Sequence, residues 1–191
     1  DVLFFHCSYM NERLDPAIMK HYGCNISHQP ISNASFGFWP NMIPFIDAGV
    51  NVSLGTDGQT QSMFENMRAA QMIHRIRYED LNLLPDKQMF EMATINGAKS
   101  LHLENEIGTL EVGKKADIVL LKNDSPVPVF ENNIMNFVVT VADSAHVDTV
   151  FIDGNKVVER GEYLLMDEDE VRAKCQEQAV DFWKRNDWPT P

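Results

Sequence analysis

Three side chains that can bind metals or transfer protons lie near the start of the 191-residue sequence, each at the end of a short apolar segment. They are His6, His28 and Asp57. His28 lies 22 residues after His6, and Asp57 lies 29 residues after His28. Imidazole and carboxylate groups are common zinc ligands and acid–base catalysts. If the apolar segments are neighbouring strands of one sheet, the three side chains are expected to converge.

Asp57 lies in the sequence Gly55-Thr56-Asp57-Gly58. Glycines on both sides leave room for a ligand and allow unusual backbone angles. The carboxylate could therefore bind a metal or accept a proton from water. The alternative is a structural aspartate in a turn or at a helix N-terminus, which is the common role of such triplets.

The histidines have several interpretations. His6 could be a metal ligand, an acid–base group or an orienting hydrogen-bond donor, and the alternative is a buried histidine satisfied by the backbone. His28 is interpreted as structural or as a support behind the site. His74 falls on the apolar face of a helical segment, which predicts that it packs in the core.

An aromatic loop, residues 35–40, follows the second apolar segment and contains Phe38 and Trp39. Such side chains could close over a flat apolar ligand. The alternative is a loop packed against the core. Phe38 and Trp39, together with His28, are the candidates for lining a substrate pocket.

Helical patterns connect the apolar segments, at residues 11–21 and 41–48, and Gly49 is expected to end the second helix. Alternating strands and helices predict βα units and a parallel sheet, whose strand carboxyl ends face the ligand. An eight-stranded barrel takes about 250 residues. The predicted fold class is therefore α/β, with the chain holding the last part of a (β/α)8 barrel.

Two helices are predicted after Asp57. Ser62 and Glu65 have the spacing of a capping box, which marks the start of a helix. A second helix is predicted to begin near Asp86. Within it, Gly97 is expected to permit a close approach of another backbone.

The pattern changes to β-strands after residue 103. Segments rich in Val, Ile and Phe predict strands at residues 116–122, 136–142 and 148–152. Asp153-Gly154-Asn155 predicts a hairpin turn, and a last helix is predicted over residues 168–185. The expected divisions are residues 1–103 for the partial barrel, 104–165 for a β module and 166–191 for a helix and tail.

The composition narrows the classes of function. The net charge is −12, and the 16 Lys and Arg residues are scattered, so we expect no binding to nucleic acid. No apolar run approaches the roughly 20 residues that span a bilayer, so no membrane segment is expected. The three cysteines have no CxxC spacing and are interpreted as reduced thiols of a cytoplasmic protein.

Five stretches of the chain carry a family pattern: Phe5–Cys7, Ser27–Asn33, Ala48–Gly58, Ala93–Ala98 and Ile107–Leu120. In their order and spacing they resemble the amidohydrolase superfamily, and most of all the branch with cytosine and guanine deaminases, adenosylhomocysteine-type deaminases and triazine chlorohydrolases. The resemblance implies a (β/α)8 barrel and a β-sandwich. The chain would hold barrel strands six to eight, ending at His6, His28 and Asp57, and the C-terminal part of the sandwich.

The resemblance also implies one divalent metal, zinc first and iron second, that activates a water molecule. Asp57 matches the aspartate that binds the metal and takes the proton, and His6 matches the histidine that polarises or protonates the substrate. The family's other metal ligands, a His-x-His and a further histidine, precede this chain's first residue. We therefore expect a C-terminal fragment of a larger enzyme that is inactive by itself.

The leading hypothesis is hydrolytic deamination of a small nitrogen heterocycle. Dechlorination of a triazine and hydrolysis of a cyclic amide are alternatives, as is a non-catalytic scaffold or assembly module. Residues 36–39 and 59–61 depart from the family pattern in loops that line its substrate pocket, which leaves the substrate open. An exposed barrel edge predicts a homo-oligomer or association with the missing N-terminal part.

Overall fold

The computed structural model describes residues 2–189. Residues 1, 190 and 191 lie outside the described residues. The predicted divisions 1–103 and 166–191 begin and end, respectively, with these residues. The protein has an α/β fold with two separate sheets, one parallel and one antiparallel. This confirms the predicted α/β class.

The parallel sheet has three strands in the order β1 (Leu3–Phe5), β2 (Asn25–His28) and β3 (Asn51–Leu54). The strands are in parallel register, with Phe5 opposite Ser27 and His28 opposite Leu54. Their carboxyl ends therefore lie at one edge, as the repeat of strand and helix predicts.

Short helices connect these strands. They are α1 (Asp15–His21), α2 (Pro30–Ser35) and α3 (Ile43–Asp47). The predicted helix at 11–21 begins later, because the Asn11 side chain accepts hydrogen bonds from the amides of Arg13 and Leu14 and forms a turn there. Gly49 follows α3 with a φ of +79°, as predicted for the residue that ends a helix.

Two helices pack against the sheet, α4 (Met63–Tyr78) and α5 (Asp86–Ala93). The Ser62 hydroxyl accepts a hydrogen bond from the Glu65 amide and caps α4, as predicted. Ile26 of β2 and Val52 and Leu54 of β3 point to the same face of the sheet, because side chains alternate between the two faces along a strand. On that face they pack into the buried core with residues of α4 and α5. Helix α4 also carries His74 into this core.

The helix predicted to begin near Asp86 and to contain Gly97 is interrupted. Thr94 has a φ of −128° and a ψ of −95°, and α6 (Ile95–Ser100) begins after it. The predicted close approach at Gly97 is wrong, because the space for a Cβ there is open. The close approach occurs at Gly108, where a Cβ would lie 2.8 Å from the Cβ of Ala98.

The antiparallel sheet has four strands: β4 (Ile118–Leu121), β5 (Val147–Ile152), β6 (Asn155–Glu159) and β7 (Glu162–Tyr163). Strands β5 and β6 form the predicted hairpin. The last helix, α8 (Glu168–Arg185), begins where Asp167 accepts a hydrogen bond from the Glu170 amide.

The strand predicted at residues 136–142 is wrong. Helix α7 (Ile134–Asn136) continues into a π-helix, Phe137–Val141. The β-branched side chains favour a strand, but Phe137 and Val139 are buried as a helix against α4 and α5. Tertiary packing outweighs local preference here. Among residues 2–189, no helix has the length and apolar character needed to cross a lipid bilayer.

Candidate functional site

His6 and Asp57 meet at the carboxyl edge of the parallel sheet. His6 Nε2 lies 3.7 Å from Asp57 Oδ2, and each side chain is 41% exposed. His6 directly follows β1, and Asp57 follows β3, so the two flanking strands bring together residues that are 51 positions apart in the sequence (6 to 57). The predicted convergence of these two groups is therefore present in the geometry.

Both reactive residues have unusual backbone angles. The φ values of His6, Cys7 and Asp57 are +63°, +56° and +55°. Left-handed conformations of this kind cost about 1–3 kcal/mol for residues other than glycine, and they cluster at functional sites. The His6 amide compensates by donating hydrogen bonds to the Ser27 carbonyl at 3.1 Å and to Gln29 Oε1 at 2.9 Å.

Gln29 connects the ends of all three strands. Its side-chain nitrogen donates to Ser27 Oγ at 2.7 Å, while its oxygen accepts from the His6 amide. A Cβ at Gly55 would lie 2.8 Å from Gln29 Nε2 and 2.9 Å from Ser27 Oγ. Gly55 therefore makes room for the glutamine, whereas Gly58 has open space around its Cα.

The first turn of α2 holds both reactive side chains. The Ser32 hydroxyl donates a hydrogen bond to Asp57 Oδ2 at 2.5 Å. Asn33 Oδ1 lies 2.8 Å from His6 Nδ1. Ser32 and Asn33 are both buried, so these contacts come from a fixed part of the structure.

These contacts determine the charge and proton arrangement of the site. The hydrogen bond from Ser32 lowers the pKa of Asp57 below its usual value, and the Gly58 amide and His6 lower it further. Asp57 is therefore a carboxylate at neutral pH. The Asn33 carbonyl oxygen only accepts hydrogen bonds, so it favours a hydrogen on His6 Nδ1, while His6 Nε2 lies toward Asp57.

A cavity of about 500 Å³ opens beside His6 and Asp57. Ser32 and Asn33 add further polar groups to its wall, and the rest of the lining is largely aromatic. Tyr9 and Phe38 meet at this cavity with ring centroids 5.4 Å apart in an edge-to-face contact. Such a cavity can take a flat ring with polar groups at one end.

The other two pocket candidates lie against α4. His28 is 2% exposed, and its ring contacts the His74 ring edge-to-face at 5.6 Å. The Trp39 ring lies 5.2 Å from His74, beneath the guanidinium of Arg77 at 4.3 Å. Of the three candidates, Phe38 is the one that lines the cavity near Asp57.

His28 and His74 are both neutral. Burial, together with smaller contributions from His74 and His6, lowers the pKa of His28 to about 3. Within residues 2–189, neither ring nitrogen of His28 has a hydrogen-bond partner. His74 is satisfied, because Nδ1 donates to the Ala70 carbonyl and Nε2 accepts from the Met42 amide, which confirms its predicted role in packing.

From the sequence, Ser32 and Asn33 are not assigned to the site, and neither are Gln29 and Tyr9. The available signal was their position immediately after a strand end, because this is where a parallel sheet presents ligand-binding groups. Tyr9 has no such signal, because its contact with Phe38 depends on the path of two loops.

His6 and Asp57 offer one nitrogen and one oxygen donor of the types that zinc prefers. Within the described part of the chain, residues 2–189, no cluster of three or more His, Cys, Asp or Glu is placed to hold a metal ion. A catalytic zinc usually has three protein ligands. The donors therefore fit a divalent metal in type and are incomplete in number.

The protein belongs to the amidohydrolase family, which matches residues 1–157 of the chain. Its sequence is similar to the 5-methylthioadenosine/S-adenosylhomocysteine deaminase of Acetivibrio thermocellus, with 37% identity over 93% of this chain and 42% of that protein. The chain thus spans about two fifths of the length of the curated relatives it matches. The family resemblance of the sequence is confirmed.

Two solved structures have similar folds. An adenosine deaminase from Xanthomonas campestris with bound zinc has a TM-score of 0.85 and 24% identity, over 92% of this chain and 41% of that one. Atrazine chlorohydrolase from Arthrobacter aurescens complexed with zinc has a TM-score of 0.75 and 23% identity, over 92% of this chain and 40% of that one.

Proposed function

We propose that the chain is the C-terminal part of a metal-dependent amidohydrolase that deaminates a nitrogen heterocycle. The observation that carries this proposal is the approach of His6 to Asp57 at the carboxyl edge of a parallel sheet, beside an aromatic-lined cavity. The names of the relatives, which include an adenosylhomocysteine deaminase and a 5'-deoxyadenosine deaminase, support the substrate class.

In this proposal, β1 to β3 are strands six to eight of a (β/α)8 barrel, within residues 1–103. Residues 104–165 are the C-terminal share of a β-sandwich, and residues 166–191 are a helix and tail. The similarity to solved amidohydrolase folds supports this division. The remaining strands and metal ligands would come from the part of the relatives' length that this chain does not span.

Asp57 is the residue of this chain that would hold the divalent metal, zinc first and iron second. A bound metal would lower the pKa of water toward neutrality. Asp57, which the Ser32 hydroxyl keeps ionised, accepts a proton from the water molecule whose oxygen bonds to the ring carbon. It delivers that proton to the departing nitrogen as the C–N bond breaks. His6 takes up a proton at Nε2, since Nδ1 is engaged by Asn33, and returns that proton to the substrate. Phe38 contacts the ring, and His28 and Trp39 support the pocket through their packing against His74 of α4.

A second candidate is hydrolytic displacement of chloride from a triazine. The fold similarity to atrazine chlorohydrolase favours it, and the chemistry of His6 and Asp57 would be the same apart from the leaving group. Hydrolysis of a cyclic amide and a non-catalytic scaffold are the other hypotheses. They predict, respectively, ring opening and no turnover.

The test uses the complete enzyme that contains this chain, supplied with zinc. Heterocycles with an exocyclic amine are expected to release ammonia, and Asp57→Asn and His6→Gln are expected to lower kcat by about 10²- to 10⁴-fold. Asp47→Asn, at the exposed end of α3, is the matched control and should keep full activity. Release of chloride without ammonia would favour the triazine candidate, and the absence of any turnover would favour the scaffold.

We further propose a cytoplasmic protein that acts on a small molecule and contacts neither nucleic acid nor membrane. Cys7, Cys24 and Cys175 are all free thiols, which supports a reducing location. The exposed apolar side chains at the β1 edge of the sheet support association with the rest of the enzyme or with a second copy.

A further inference from the structure

The first turn of α2 contacts both reactive side chains from adjacent buried positions. Ser32 reaches Asp57 and Asn33 reaches His6, each through one hydrogen bond of 2.8 Å or less. Two consecutive residues on one rigid turn thus fix two groups that belong to different strands. A change in either residue is expected to misplace one reactive group without affecting the other.

The orientation of the buried Asn33 side-chain amide is not explained by stability alone. Its oxygen faces His6 Nδ1, but among the described residues its side-chain nitrogen is buried without a hydrogen-bond partner. An unpaired buried donor costs stability. The benefit of this orientation lies at His6, whose hydrogen is held on Nδ1, so that the Nε2 lone pair is free to accept a proton in the cavity beside Asp57.

Ser32 acts on the carboxylate in a similar way. Its hydroxyl donates to Oδ2, the same oxygen that lies 3.7 Å from His6 Nε2. Because the Asp57 side chain is 41% exposed, little packing holds its rotamer, and the buried hydroxyl provides the anchor.

We propose that Ser32 and Asn33 are positioning residues for the hydrolytic site: Asn33 selects the Nδ1–H tautomer of His6, and Ser32 sets the orientation of the Asp57 carboxylate. The role in turnover rests on the proposed function. The tautomer assignment stands without it.

The tautomer is measured on the 191-residue chain by ¹⁵N NMR of the histidine rings, at a mildly alkaline pH where imidazole is neutral. His6 is expected to be mainly Nδ1–H in the wild type and in Asn33→Asp, which keeps the acceptor. In Asn33→Leu, Nδ1–H is expected to become the minor form. His74, which has the same tautomer through Ala70 and Met42, is the internal control for an intact fold. A wild-type Nε2–H tautomer, or no change in Asn33→Leu, would overturn the proposal.

Kinetics of the complete enzyme test the consequence. Ser32→Ala and Asn33→Leu are expected to lower kcat roughly tenfold to a hundredfold with KM and zinc content nearly unchanged, since misplacement costs rate rather than binding. Ser32→Thr and Asn33→Asp should recover most of the rate. Ser35→Ala, at the other end of α2, is the matched control.

The two proposals fail in different ways. If the wild-type enzyme hydrolyses no heterocycle, the proposed function fails, and the NMR result alone decides the role of Asn33. If the wild type is active and Ser32→Ala retains full kcat, the role of Ser32 is wrong and the proposed function stands.

Discussion

His6 and His28, at the ends of neighbouring strands, differ in burial and in the groups that they contact, because their side chains leave the sheet in different directions. His6 lies beside Asp57 and is 41% exposed, whereas His28 is buried against His74. The sequence predicts that both lie at the carboxyl edge, which is correct. It does not predict which face of the sheet each residue takes, because that depends on the register and on the turn after β1, where His6 has a φ of +63°.

The buried imidazole of His28 is expected to make stability depend on pH. The folded pKa of about 3 lies below the unfolded value near 6.5, so the unfolded chain binds a proton first and stability falls as the pH drops below 6.5. Between about pH 7.5 and about pH 5 this loss is about 2 kcal/mol. His28→Phe should remove that part of the dependence, as measured by urea unfolding at several pH values.

His21→Phe, at the exposed end of α1, is the matched control for His28→Phe and should keep the wild-type dependence on pH. If His28→Phe loses as much stability as the wild type on acidification, His28 is not a neutral buried group in the folded protein.

Gly55 offers a second test at the scale of one residue. In Gly55→Ala the new methyl group would lie within 3 Å of Gln29 and Ser27, and the glutamine would have to leave the His6 amide. Crowding of this kind typically costs about 1–3 kcal/mol. Urea unfolding should show this loss, together with a shifted His6 amide resonance. Gly58→Ala, which meets no atom within 4 Å, should leave both measurements unchanged. Equal effects in the two variants would contradict the tight packing of Gly55.

Among the secondary-structure elements, those defined by local chemistry were predicted and those defined by contacts were not. The Ser62 cap, the β5–β6 hairpin and helix α8 follow from residues within a few positions of one another. The interruption at Thr94 and the helix at Phe137–Val141 depend on packing against other elements. The sequence carries no local sign of either.

Among the elements, the aromatic loop after α2 has the clearest expected effect on substrate binding. Phe38 contacts Tyr9 at the cavity beside Asp57, and an aromatic contact is worth about 0.5–1.5 kcal/mol beyond the area that it buries. In the complete enzyme, Phe38→Ala should raise KM for a flat heterocycle about threefold to tenfold with little change in kcat.

Phe182→Ala is the matched control for Phe38→Ala, because Phe182 on α8 makes a similar edge-to-face contact with Trp188 and does not line the cavity with Asp57. Its steady-state kinetics should equal those of the wild type. An unchanged KM in Phe38→Ala would mean that the substrate does not contact this loop.

At the scale of the whole molecule, the parallel sheet has two edge strands, β1 and β3, and among the described residues neither pairs with a further strand. Strand β1 pairs with β2 and, within residues 2–189, with no other strand. A cavity of about 550 Å³ lies beside this edge and is lined largely by apolar side chains, including Phe4, Ile18 and Tyr22. Open edges and contiguous apolar surfaces favour association. The sequence predicts this exposure from the number of strands, but the side chains that form the surface are defined by the packing of α1 beside β1.

We therefore expect the isolated chain to self-associate through this surface. Sedimentation velocity should show an average mass that rises with protein concentration. Ile18→Glu places a charge on the surface and should shift the chain toward the monomer, because burying an unpaired carboxylate is unfavourable. Ile76→Glu is the matched control: Ile76 is 77% exposed on α4 and Ile18 is 53% exposed on α1, but Ile76 does not line this cavity. A wild-type chain that stays monomeric at all concentrations would contradict association, and equal effects of the two substitutions would place the contact elsewhere.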